Sequence, residues 1–109
     1  MTVEQADVID GVGMRTDGSG VELLISDHLG WETPHHFDAI ATKIDAYVHA
    51  IRSGQLDDVY PAAGRMPTFI TLVWQHAPSG EAVRFLASIS QQLEEIGIGF
   101  THKALPDGH

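Results

Sequence analysis

Alternating apolar and polar residues predict a β-hairpin at the start of the chain. From Ala6 to Met14 the even-numbered residues are apolar except Asp10, and the alternation returns from Val21 to Ser26. Asp17-Gly18 lies between the two runs and suits the positive backbone angles of a tight hairpin turn. We therefore expect two antiparallel strands joined by this turn.

A three- and four-residue spacing of apolar positions predicts a first helix after Thr33-Pro34. Threonine can cap the free amides, and proline at the first helical position loses no hydrogen bond. Gly54 is the expected end of this helix. The apolar stripe comprises Phe37, Ile40, Ala41, Ile44, Val48 and Ile51, with Tyr47 at its margin.

The same spacing predicts a second helix, with Ser79 as its cap and Gly97 as its stop. Strands are predicted on either side of it, from Thr68 to Ala77 and from Ile98 to Leu105, and the first of them is apolar on both faces. The stripe of the second helix comprises Ala82, Phe85, Leu86, Ile89, Leu93 and Ile96.

The segment from Gln55 to Pro67 contains two prolines and a glycine and has no sustained period. It is predicted to be a connection, with a short helical turn around Leu56 to Tyr60.

The order strand, strand, helix, strand, helix, strand predicts a single α+β domain over residues 1–109, with residues 1–5 and 106–109 frayed. Each helix has one apolar stripe and needs an apolar sheet face to cover it. We expect a two-layer sandwich in which both helices lie on one face of a four-stranded sheet. The order of the strands in the sheet stays open.

The reverse face of such a sheet would carry Leu24, Phe69 and Val73. Apolar side chains exposed together on a subunit normally mark an interaction surface. We expect a homodimer, formed through this face or through an edge strand. The alternative is that the segment from Gln55 to Pro67 covers the same face.

The charge of the chain narrows the classes of partner. Fifteen Asp and Glu against six Lys and Arg give a net charge of −9, which opposes binding to nucleic acid. The simpler interpretation of this acidity is solubility, and the alternative is a docking surface for a protein with a basic surface. There is no cysteine, the first residues lack a basic signal-peptide region, and no apolar run approaches the ~20 residues of a membrane helix. These features favour a cytoplasmic protein that does not contact membranes.

Four residues near the strand-to-helix junction could hold a metal: Asp27, His28, His35 and His36. Imidazole and carboxylate are ligands of zinc and other divalent ions, so a metal-dependent enzyme is the alternative interpretation. His35 and His36 are about 100° apart around a helix axis, which opposes a shared ion. The structural interpretation is that Asp27 accepts turn amides and His28 packs partly buried. We expect no cofactor and assign no catalytic residue.

The run Ile25-Ser26-Asp27-His28-Leu29-Gly30-Trp31 is followed by a helix containing Lys43-Ile44-Asp45-Ala46-Tyr47 and by a two-sided strand. This arrangement resembles a family of small bacterial proteins classed as a domain of unknown function, and the likeness extends from Val8 to roughly Phe100. The resemblance implies a compact bacterial domain and carries no activity, cofactor or partner. From the apolar reverse face and the acidic charge, we expect the function of a non-enzymatic, self-associating module for protein binding or regulation.

Acidic pH should promote association of this chain. Protonation of all seven histidines would move the net charge from −9 to −2, and the isoelectric point is about 4.9. We expect light scattering to rise between about pH 7.5 and about pH 5, because electrostatic repulsion between chains falls. Constant scattering across this range would contradict the expectation.

Overall fold

A computed structural model describes residues 10–15, 17–33, 35–54 and 66–104. Its elements follow the order ββαβαβ and confirm the predicted α+β fold. The strands are β1 (Gly11–Met14), β2 (Val21–Asp27), β3 (Thr68–Trp74) and β4 (Ile98–Ala104), and the helices are α1 (His36–Ser53) and α2 (Gly80–Glu95).

The four strands form one mixed sheet in the order β1-β2-β3-β4. β1 is antiparallel to β2, and the pairs β2–β3 and β3–β4 are parallel, as strands joined by a helical crossover usually are. Both helices pack on the same face of the sheet. One core contains the buried side chains of α1 and α2 together with Val21, Leu23, Ile25, Ile70, Leu72, Ile98 and Phe100.

Local turn and capping residues behave largely as the sequence predicts. Gly18 in the β1–β2 hairpin has φ 74°, and Gly54 ends α1 with φ 85°, both in the left-handed region that glycine tolerates. The side chain of Ser79 caps α2 by accepting a hydrogen bond from the Ala82 amide at 3.2 Å.

The start of α1 differs from the prediction. The N-cap is His35, with no side-chain cap hydrogen bond, and not Thr33. The Thr33 amide donates to the Gly30 carbonyl and the Thr33 carbonyl accepts from the His36 amide, so the chain makes a tight turn before the helix. The turn places His35 at φ 68°, a left-handed conformation that is uncommon for residues other than glycine.

The buried side of α1 is rotated from the predicted stripe. Ala41 is exposed and Val48 is only half-buried, whereas Tyr47, placed at the margin by the sequence, is buried. Two polar residues complete this side, Lys43 and His36, and both are almost wholly inaccessible. Ion pairs explain the rotation, because each of the two faces a buried carboxylate.

Lys43 and Asp10 form a buried ion pair between α1 and the residue before β1. Lys43 Nζ lies 2.9 Å from Asp10 Oδ1, and the two side chains are 0% and 1% exposed. Asp10 Oδ2 also accepts from the Ser26 amide at 2.8 Å. The Tyr47 hydroxyl accepts from the Asp10 amide at 2.9 Å and donates to the Leu24 carbonyl at 2.7 Å.

This network satisfies backbone groups of β2 where its pairing with β1 ends. It also explains why Asp10 interrupts the apolar alternation of the first strand. Burial raises the pKa of the Tyr47 hydroxyl well above its ordinary value of 10.0, so the hydroxyl keeps the proton that it donates.

Several sequence predictions lie outside the described residues. These are the first half of the predicted N-terminal strand, the helical turn near Leu56 to Tyr60, and the frayed ends at 1–5 and 106–109. Residues 55–65, which belong to the segment proposed as an alternative cover for the reverse face, also lie outside them. Within the described part of the chain, neither helix is long and apolar enough to cross a membrane.

Replacement of Lys43 alone should lower the stability of the protein markedly. Lys43→Met leaves the Asp10 carboxylate buried without its cation, and we expect the free energy of unfolding to fall by about 3–5 kcal/mol in urea titrations. The double variant Asp10→Leu with Lys43→Met removes both charges and should recover more than half of this loss. A single variant as stable as the wild type would show that the ion pair is not coupled to folding.

Candidate functional site

The predicted histidine cluster lies at the carboxyl end of β2, where the chain leaves the parallel part of the sheet. Asp27 and His36 form a pair there, with His36 Nε2 at 2.7 Å and 2.8 Å from the two carboxylate oxygens. The side chains are 0% and 1% exposed. Asp27 Oδ1 also accepts from the Leu29 amide at 3.2 Å, as predicted for a turn carboxylate.

Hydrogen bonds engage both ring nitrogens of His36. Nδ1 donates to the Gly30 carbonyl at 3.0 Å, and Nε2 faces the Asp27 carboxylate. One proton must therefore lie between Nε2 and Asp27, which makes the pair neutral as a whole. Neither nitrogen has a free lone pair directed at a metal or substrate, so the geometry gives His36 the role of joining α1 to β2.

Trp31 packs over this pair and ties it to the neighbouring loop. Its ring centroid lies 4.3 Å from that of His36. Its indole Nε1 donates to the His76 carbonyl, at 2.6 Å, in the loop after β3. The Asp27 carbonyl accepts from the Gln75 amide at 2.9 Å in the same loop. The two loops at this end of the sheet are thus held together by backbone and aromatic contacts.

The other two candidate ligands lie at the surface. His35 is exposed, with Nδ1 3.7 Å from Asp38 Oδ2, and His28 is exposed just after β2. The structure therefore brings Asp27 and His36 together in a buried pair, whereas the side chains of His28 and His35 are exposed. Across residues 10–15, 17–33, 35–54 and 66–104, no three His, Asp or Glu side chains are grouped so that they could hold a metal ion.

The reverse face of the sheet carries the three residues predicted for an interface. Leu24 and Phe69 are half-buried, and Val73 is only 8% exposed, so it offers little surface to a partner. Phe69 lies across Gly20 and Gly99, where an added Cβ would collide with its ring. The Arg15 guanidinium carbon lies 4.3 Å from the ring centroid on this face.

A polar row crosses the middle of the same face. Thr71 donates to Glu22 Oε2 at 2.7 Å, which uses its only hydroxyl proton. Thr101 must therefore be the donor in the 3.1 Å contact between the two threonine hydroxyls. The reverse face is consequently less apolar than the sequence pattern of β3 indicates.

β4 is one of the two edge strands of the sheet that the described residues form. Among the described residues β4 pairs only with β3, over its full length from Ile98 to Ala104. Its last four residues, 101–104, are all exposed. A strand edge in this state presents backbone donors and acceptors to solvent.

The line along which α1 and α2 meet, here called the helical seam, contains two depressions. A polar cleft of about 380 Å³ lies at the amino ends of the helices, between Trp31, Phe37, Asp38 and Glu81. A more apolar groove of about 260 Å³ lies farther along, between Ile44 and Val48 of α1, Ile89 of α2, and Ile96, the residue that follows α2. The seam is not recognisable in the sequence, because the pairing of two helices cannot be read from either helix alone.

The Asp10–Lys43 pair was not predicted, although both residues interrupt apolar patterns. Asp10 occupies an apolar position of the first strand, and Lys43 lies three residues after Ile40 and four before Tyr47. Two opposite charges at buried positions are the signal that could have revealed it.

Comparison with known proteins gives a family and nothing beyond it. The model of DUF6572, described as a family of unknown function, matches residues 1–106. Neither the curated proteins nor the solved structures that were searched give a match.

The two adjacent histidines should differ sharply in their effect on stability. His36→Ala leaves the Asp27 carboxylate buried without its partner, and we expect a loss of about 3–5 kcal/mol in unfolding free energy. His35→Gly is the matched control, since glycine tolerates the left-handed backbone and the change should stay within about 1 kcal/mol. Urea titration followed by circular dichroism measures both, and equal losses would contradict the assignment.

Proposed function

The chain belongs to DUF6572, a family of unknown function, and we propose that it is a non-enzymatic, self-associating protein-binding module whose homodimer forms through the outer edge of β4. The observation that carries the proposal is that β4 pairs on one side only within the described part of the chain, and that its residues 101–104 are exposed.

The length and composition of β4 favour pairing with a second copy. Its seven residues contain no proline, and Lys103 is the only charged residue among them. Proteins usually protect a strand edge with proline, with charged side chains or by keeping the strand very short. β4 has seven residues, no proline and one charged side chain. The opposite edge strand, β1, has four residues, two of which are glycine. β4 therefore offers the longer template for strand addition.

An antiparallel β4–β4 contact around a twofold axis would make one eight-stranded sheet. Each residue contacts its symmetry equivalent or a neighbour of it, so a single patch suffices for both copies. The reverse faces of the two subunits would then be continuous, and Leu24 and Phe69 would lie on this shared surface. This arrangement uses the edge, one of the two interfaces that the sequence predicts.

The chemistry at the end of β2 supports binding over catalysis. Catalytic histidines need a ring nitrogen within reach of substrate, whereas both nitrogens of His36 are engaged in a buried structural pair. The net charge of −9 supports a basic protein as the partner.

Mass measurement tests the proposed dimer. At tens of micromolar protein, sedimentation equilibrium should give twice the subunit mass of 11.8 kDa. Thr101→Glu with Lys103→Glu places like charges along the edge and should shift the mass toward the monomer, because paired copies would repel. Arg84→Glu with Ala87→Glu on α2 changes the net charge equally and should leave the dimer intact.

A monomer for the wild-type chain would overturn the proposal. A dimer that survives the β4 substitutions but is lost in Leu24→Ser would place the interface on the reverse face and refute the edge contact.

A further inference from the structure

We propose that the helical seam is a docking site for a basic amphipathic helix of a partner protein. This inference rests on the proposed protein-binding function and identifies the surface and the chemical class of the partner.

The seam contains the two depressions and an aromatic pair between them. Phe37 of α1 and Phe85 of α2 stack with ring centroids 4.5 Å apart and an interplanar angle of 16°. The polar cleft lies on the amino-terminal side of this pair, and the apolar groove lies on the carboxyl-terminal side. α1, with 18 residues, is about 27 Å long, so the seam can accommodate several turns of a third helix.

The groove offers apolar contacts at the spacing that a helix can match. Ile96 is 46% exposed, which is high for a residue in the predicted apolar stripe of α2. A helix docks in such a groove through side chains at positions i, i+3, i+4 and i+7. The apolar lining comprises Ala41, Ile44, Val48, Ile89, Leu93 and Ile96.

The charges along the seam determine the chemistry of the partner. Asp38 and Glu81 line the cleft and Asp45 lines the groove, and among the residues that the structure describes no Lys or Arg lines either depression. A partner helix with apolar residues on one face and Lys or Arg on its flanks would bury the apolar residues in the groove. Its Lys or Arg side chains would then lie against these carboxylates. The same charges oppose a second copy seated seam to seam, because its three carboxylates would face those of the first.

The partner segment should be a helix, because the seam offers no backbone hydrogen bonds to an extended segment. The seam is formed by two helices, and the backbone groups in the interior of each helix are already hydrogen-bonded within that helix. An extended segment would find no strand edge there, whereas a helix satisfies its own backbone and needs only side-chain contacts.

A synthetic peptide tests the docking site directly. The probe is a labelled peptide of about 14 residues, with Leu at helical spacing on one face and Lys on the other. A scrambled peptide of the same composition, in which Leu and Lys are not segregated, is its control. We expect fluorescence anisotropy to show that the amphipathic peptide binds and that its binding weakens as the salt concentration rises. The scrambled peptide should bind at least about tenfold more weakly.

Two matched pairs of variants locate the site. Ile96→Ala removes apolar contact inside the groove and should weaken binding about five- to tenfold, whereas Val83→Ala, a residue 44% exposed on α2 outside the seam lining, should change it less than about twofold. Asp45→Asn should weaken binding about two- to fivefold. Glu94→Gln, which removes one charge from the β4 side of α2, should leave binding unchanged.

Several outcomes would overturn the inference. They are no binding at about 100 μM peptide, equal binding of the scrambled peptide, and equal effects of seam and control variants. Sedimentation of the same samples separates this inference from the proposed dimer. A dimer that does not bind the peptide refutes the seam alone, and a monomer that binds it with the expected variant pattern refutes the β4 contact alone.

Discussion

Two buried charge pairs fix α1 on the sheet, and the positions of the remaining elements depend on this attachment. His36 in the first turn pairs with Asp27 at the end of β2, and Lys43, two turns later, pairs with Asp10 before β1. An apolar stripe can rotate or slide on a sheet with little loss of folding free energy. Displacing a buried charge from its partner, in contrast, costs several kcal/mol. The pairs therefore determine which side of α1 is buried and how far along β2 the helix lies.

That attachment places Asp27 and His36 inside the protein and leaves the helical seam and the edge of β4 at the surface. Both nitrogens of His36 are engaged, so the residues with the most promising chemistry in the sequence have structural roles. The two helices cover one face of the sheet and meet along an acidic seam, and the outer edge of β4 stays exposed. Strand addition at one surface and helix docking at another use different physical contacts, so one subunit could support both at once.

Local signals in the sequence were sufficient to predict most helices, strands and turns. They were insufficient to predict the arrangement of the Asp27–His36 site. Gly18, Gly54 and Ser79 have the predicted turn and capping roles, because each depends on the backbone of a few neighbouring residues. Thr33 was wrongly predicted to cap α1, since the turn from Gly30 to His35 displaces the helix start. The partnership of Asp27 with His36 also escaped prediction, because a nine-residue separation brings them together only through that turn.

The sequence by itself determined the ββαβαβ order, the apolar stripes that place both helices on one sheet face, and the acidic character of the chain, because periodicity and composition act locally or additively. Tertiary structure alone decided the strand order β1-β2-β3-β4, the pairing of Asp10 with Lys43, and the seam between α1 and α2. Each of these is a contact between segments that are distant in the chain, and its free energy depends on relative positions that no single segment encodes.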